Sequence, residues 1–237
     1  MTTQLHALSI GAHDPPLLAS FWAGVLGREL SDDGTALLPS EETEFLIEFL
    51  PTEEKKTRPN QIHFDLTSTS LKDQEAIVKR ALELGGSHLD IGQLREEEHV
   101  VLADPEGNEF CVSEPGNGFL AGTGSIGALS SDGSQAVGYF WSKALDWPLV
   151  WDRDEETAIQ SPSGGSKISW GGPPVRQKMG PNRLHLDLAP PVDGDQQAEV
   201  DRLISLGATT IDIGQGDVSW VVMADPDGNE FCILTPR

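Results

Sequence analysis

Positive charge is scarce in this sequence: 16 Lys and Arg stand against 38 Asp and Glu, a formal net charge of −22. Such a chain repels phosphate backbones and anionic headgroups, which argues against nucleic-acid and membrane partners. Long apolar runs are missing too. Nowhere do 18 apolar residues follow one another, so no membrane span is expected. The first residues, Met1 to Asp14, lack a basic start and an apolar stretch, so no signal peptide is expected. There are only two cysteines, Cys111 and Cys232. They occupy matching places in an internal repeat, so they read as equivalent thiols rather than a disulfide and point to a reducing cytoplasm. No Gly-rich phosphate loop, Gly-x-Ser-x-Gly elbow or Cys-x-x-Cys pair occurs, which leaves those chemistries without a signature.

What is present is an ordinary globular composition, 38% hydrophobic and 23% charged over 237 residues, enough for two domains. The chain also repeats itself. Asn60-Gln61-Ile62-His63-Phe64-Asp65-Leu66 returns as Asn182-Arg183-Leu184-His185-Leu186-Asp187-Leu188. Ala103-Asp104-Pro105-Glu106-Gly107-Asn108-Glu109-Phe110-Cys111 returns as Ala224-Asp225-Pro226-Asp227-Gly228-Asn229-Glu230-Phe231-Cys232, and Phe21-Trp22 as Phe140-Trp141. The repeat divides the chain into domains at 1–116 and 125–237, with a Gly-rich linker at 117–124.

Within the first half, alternation marks a strand over Leu5 to Ile10. Pro15-Pro16 opens a helix that ends at Gly27. Ala36 to Leu38 and Glu44 to Leu50 read as strands. Ile62 to Leu66 begins a second round, with an amphipathic helix over Leu71 to Leu84 and a hairpin of His99–Ala103 with Glu109–Ser113. Asp104 to Asn108 reads as turn chemistry alone. The fold class is therefore α+β, with four strand–helix–strands units. Three strands per unit are legible and a fourth is not. Mixed strands that bury one face are expected to curl into concave sheets.

These repeated blocks resemble the vicinal oxygen chelate superfamily, the glyoxalase, bleomycin-resistance and extradiol-dioxygenase group. The blocks around His185 and Cys232 are similar to tandem glyoxalase-like domains of actinobacterial type. The resemblance implies four βαβββ units in two tandem domains. It also implies a small-molecule site, in members that use a metal, with ligands from the first and last strands of paired units. His6, Glu48, His63 and Cys111 match those places if the units pair within a domain. His6, Glu48, His185 and Cys232 match if the units are exchanged between domains, and the sequence leaves both open. One divalent ion (Zn, Ni, Mn or Fe) fits such donors. It would serve a lyase or isomerase acting on a substrate with adjacent oxygens, with Glu48 as catalytic base.

Residue by residue, Glu48 is the only charge between Phe45 and Leu50 and shares a face with Leu46 and Leu50. By the same alternation His6 shares a face with Leu8 and Ile10, and His63 with Asp65. In the second half the places of His6 and Glu48 fall at Gly127 and Ser169, so one metal site at most can be completed. Five of six tryptophans lie beyond Ala121. Trp141 repeats Trp22 and reads as core. Trp170 and Trp220, with Asp65, are candidates for binding a substrate. The alternative function is thus a metal-free protein that sequesters a cationic or aromatic small molecule. The tandem halves are expected to act as an internal pseudo-dimer in a monomer, or to form a homodimer.

Overall fold

Asp14, Ser70, Ser134 and Asp195 each accept a hydrogen bond from the backbone N–H three residues on, and each starts a helix. These helices are α1 (Pro15–Leu26), α2 (Leu71–Glu83), α3 (Gln135–Leu145) and α4 (Gln196–Leu206). Gly27 closes α1 at φ 66°, a conformation a side chain would strain. The computed structural model describes residues 3–41, 43–92 and 98–237. Among them, no helix is long and apolar enough to cross a membrane.

Each helix belongs to one unit. The first unit has β1 (Gln4–Ala12), β2 (Ala36–Leu37) and β3 (Leu46–Pro51). The second has β4 (Ile62–Leu66), β5 (Ser87–His88), β6 (Val100–Ala103) and β7 (Glu109–Val112). The third has β8 (Ile126–Ser131), β9 (Leu149–Arg153), β10 (Glu156–Ser161) and β11 (Gly164–Trp170). The fourth has β12 (Leu184–Ala189), β13 (Thr209–Thr210), β14 (Val221–Ala224) and β15 (Glu230–Ile233). The fourth strand that periodicity misses is β5 or β13, two residues long, or in the first unit a single bridge, Leu30 to Leu37. So short a strand shows no alternation.

The units are exchanged. One sheet runs β13-β14-β15-β12-β1-β3-β2 and joins the first unit to the fourth. The other runs β5-β6-β7-β4-β8-β11-β10-β9 and joins the second to the third. The antiparallel pairs β1–β12 and β4–β8 are the seams. Each half of the chain therefore gives half of both sheets, and its core lies between them. Trp22 of α1 is 1% exposed and meets Phe64 and Phe110, of the other sheet, edge-on at 4.8 and 4.9 Å. Trp141 of α3 meets Phe231 in the same way at 5.0 Å.

The Asp-Pro-x-Gly-Asn loops do more than turn. Asp104 is buried and accepts from the Trp22 indole at 3.2 Å and from the backbone N–H groups of Glu106 and Asn108. Asp225 accepts from the Trp141 indole at 3.1 Å. Glu106 accepts from the backbone N–H of His13 and Asp14 and pairs with Arg183, bracing the start of α1 against the second half of the chain. Asp227 braces the start of α3 through the backbone and hydroxyl of Ser134. The turn-only reading fails because long-range partners cannot be read from a local sequence.

Burial pushes the Asp225 carboxyl up to about 6, against the hydrogen bonds that favour its charge. The protonated form is thus favoured on folding. Stability present below the unfolded value of 3.8 is lost as pH rises through 6, about 3 kcal/mol in all. Urea denaturation should show the protein more stable at pH 5 than at pH 7, with a smaller difference in Asp225→Asn. An unchanged difference would reject this assignment.

Candidate functional site

The face of the first sheet turned away from the helices gathers most of the chemistry. Ser9 of β1 lies opposite His185 on β12 and opposite Glu48 on β3. One step along, Ala7 lies opposite Asp187, and Asp187 lies beside Cys232 on β15. Leu8, Ile10, Ile47, Phe49 and Leu186 point to the other face and fill the core. Glu48 therefore shares its open face with His185, Asp187 and Cys232.

His6 corrects the alternation. Strict pleating would put it in the core with Leu8 and Ile10. The β1–β12 register shifts between Leu5 and Ala7, and His6 sits in that bulge. It is half-buried, and both it and Glu48 feel the charges of Asp187 and Arg237. His63 and Cys111 lie in the other sheet, so the within-domain set of His6, Glu48, His63 and Cys111 is not brought together. Of the exchanged set, His185 and Cys232 cluster together with Asp187, while His6 and Glu48 lie on the same sheet outside that cluster.

The tightest cluster is His185, Asp187 and Cys232, whose candidate ligand atoms lie within 4.8 Å of one another. Asp187 Oδ2 accepts from the Ser9 hydroxyl at 2.6 Å. Its Oδ1 is buried and lies 3.1 Å from His185 Nε2, yet among the described residues no donor is aligned with it for a hydrogen bond. Burial pushes the Cys232 thiol far up, and the Asp187 charge adds to this. Burial also raises Glu48, again with Asp187 adding. Burial pulls the His185 imidazole down, but Asp187, Glu230 and Glu48 outweigh it and raise it. Burial and Arg237 lower His6. Proton affinity is thus raised at His185, Cys232 and Glu48 around a buried carboxylate oxygen that no aligned hydrogen bond satisfies. A divalent cation fits that set, since it would take the place of protons there.

The second sheet repeats the frame without the outer donors. His63, Asp65 and Cys111 cluster within the same 4.8 Å, with His63 Nε2 3.4 Å from Asp65 Oδ1. Ser130 donates to Asp65 and lies 3.2 Å from Ser169, which stands where Glu48 stands in the first sheet. The bulge recurs at Gly127, in the place of His6. A Cβ there would meet Leu120 at 3.0 Å and Thr67 at 2.9 Å. Leu120, from the 117–124 segment, thus fills the space a side chain would need. Phe119 beside it lines two cavities, of about 520 and 550 Å3.

Of the aromatic candidates, Trp141 is core as expected. Trp170 is 2% exposed and packs on Gly133 and Gly138, so its ring is committed to the core although it also borders a cavity. Trp220 is 40% exposed before β14. Sequence reasoning missed Asp187, Ser9 and Arg237. The His-x-Asp spacing, which puts both side chains on one strand face, was the available signal for Asp187 and was read only at Asp65.

Two mixed sheets built from four exchanged strand–helix–strands units define the glyoxalase class of α+β fold. The model of the glyoxalase-like domain family matches residues 7–113 and again 128–234, and the chain belongs to that family. Similar solved structures include a putative dioxygenase from Bacillus subtilis, at 16% identity over 99% of this chain and 85% of that one, TM-score 0.63. Glyoxalase I from Zea mays is similar at 12% identity over 99% and 92%, TM-score 0.64. At these identities the likeness shows the fold. No curated protein matches the sequence at a significant level.

Proposed function

We propose that the cleft of the first sheet is the working site of a metal-dependent lyase or isomerase acting on a small molecule with adjacent oxygens. The buried, unaligned Oδ1 of Asp187 within reach of His185 and Cys232 carries this reading. His185, Asp187 and Cys232 would hold the ion, with His6 and Glu48 at its margin, and the thiol among these donors favours Zn. The ion would supply Lewis acidity toward the substrate oxygens. Asp187 as the carboxylate donor leaves Glu48 free. Its raised proton affinity suits it to take and return the proton beside a carbonyl. Ser9 holds Asp187 in place through its hydroxyl.

The metal is testable without a substrate. Protein purified without a histidine tag is expected to carry about one ion per chain. Once that ion is stripped, Zn added at a hundredfold excess over its Kd should raise Tm by roughly 5–10 °C. No bound ion and no shift with Zn, Ni, Mn or Fe would overturn the proposal. The alternative is a metal-free binder of cationic or aromatic molecules. It draws support from the second cleft, where Asp65, Glu98 and Glu114 line a cavity beside Phe119. In that reading neither cleft takes an ion, so the same measurement separates the two.

A further inference from the structure

The loops 52–61 and 171–183 cross where the two halves of the chain meet. Arg58 donates to the carbonyls of Met179 and Pro181, and Arg183 to the carbonyl of Glu54. Between the loops lies a cavity of about 750 Å3 that reaches His185. Its lining is out of character with the molecule. Six of the chain's 16 Lys and Arg line it, against one of its 38 Asp and Glu, Glu54.

Those six cations divide by role. Lys56 and Lys178 are repeat equivalents, each paired with an equivalent acid, Glu109 and Glu230, and they belong to the frame. Arg176 pairs with Asp132, and Arg183 with Glu106. Lys55 and Arg58 have no carboxylate partner among the described residues, and they break the repeat, whose equivalent positions hold Gln177 and Gly180. Arg58 is already held by two carbonyls, so little freedom is lost when it binds.

We propose that this cavity binds the anionic end, carboxylate or phosphate, of a small molecule whose other end reaches His185. The net charge of −22 repels anions from the chain as a whole, so a cavity with two cations free of carboxylate partners is a place where one would be drawn in. The inference does not rest on a metal at His185, and its test excludes one. With EDTA present and at low ionic strength, titration calorimetry with inorganic phosphate and with malonate is expected to show saturable binding of at least one. The tighter probe names the group. Lys55→Ala with Arg58→Ala should weaken it at least tenfold. Because Arg58 also ties the loops, Lys55→Ala alone, which removes no hydrogen bond seen here, should weaken it about threefold. Added chloride should weaken it further. No binding of either probe, or equal binding by the wild type and both variants, would overturn the proposal.

Discussion

Trp22→Ala is expected to cost about 4–5 kcal/mol in urea denaturation, a large share of what holds a typical domain together. The indole is 1% exposed and touches Phe64 and Phe110. It also donates to Asp104, a carboxyl that burial already pushes up. Truncation removes the ring from between the two half-sheets and takes a donor from a buried acid. Trp22→Phe keeps most of the ring and should cost about 1–2 kcal/mol, so the scale can be read even if the alanine variant does not fold. A loss below 1 kcal/mol for Trp22→Ala would mean that the indole is not the keystone of that core.

The second large effect concerns asymmetry. His185→Ala is expected to weaken ion binding at least a hundredfold, whereas His63→Ala should leave it within twofold. Both histidines sit beside an aspartate and a cysteine in matching registers. They differ in what surrounds them: His6 and Glu48 in one sheet, Gly127 and Ser169 in the other. Isothermal titration with Zn on both variants checks this. Equal losses would place ions in both clefts, and a loss confined to His63→Ala would reverse the assignment.

Much of this architecture was legible from spacing. The repeat, the two helices of the first half, the cap at Gly27 and the hairpin around Asp104 follow from local chemistry, and they emerged close to their limits. What stayed hidden depends on partners far along the chain. His6 leaves the core face only because β1 slips by one residue against β12, and register belongs to a pair of strands rather than to one. The exchange of units rests on the same long-range pairing, so the sequence left both ligand sets open. Glu106 reads as a turn residue until Arg183 and the start of α1 are seen against it. The basic cavity escaped because its cations come from two loops over a hundred residues apart, in a chain whose composition pointed the other way.

The seam between β1 and β12 also sets an order of events in the cell. β1 leaves the ribosome first, yet its antiparallel neighbour begins at Leu184. During most of synthesis β1 has β3 on one side and an open edge on the other, the kind of edge that recruits stray strands. β4 waits a shorter time, because β8 follows at Ile126. The eight-stranded sheet can thus close while the seven-stranded one is still unfinished. Of the two hollows, the one with the richer set of donors is the later to be completed.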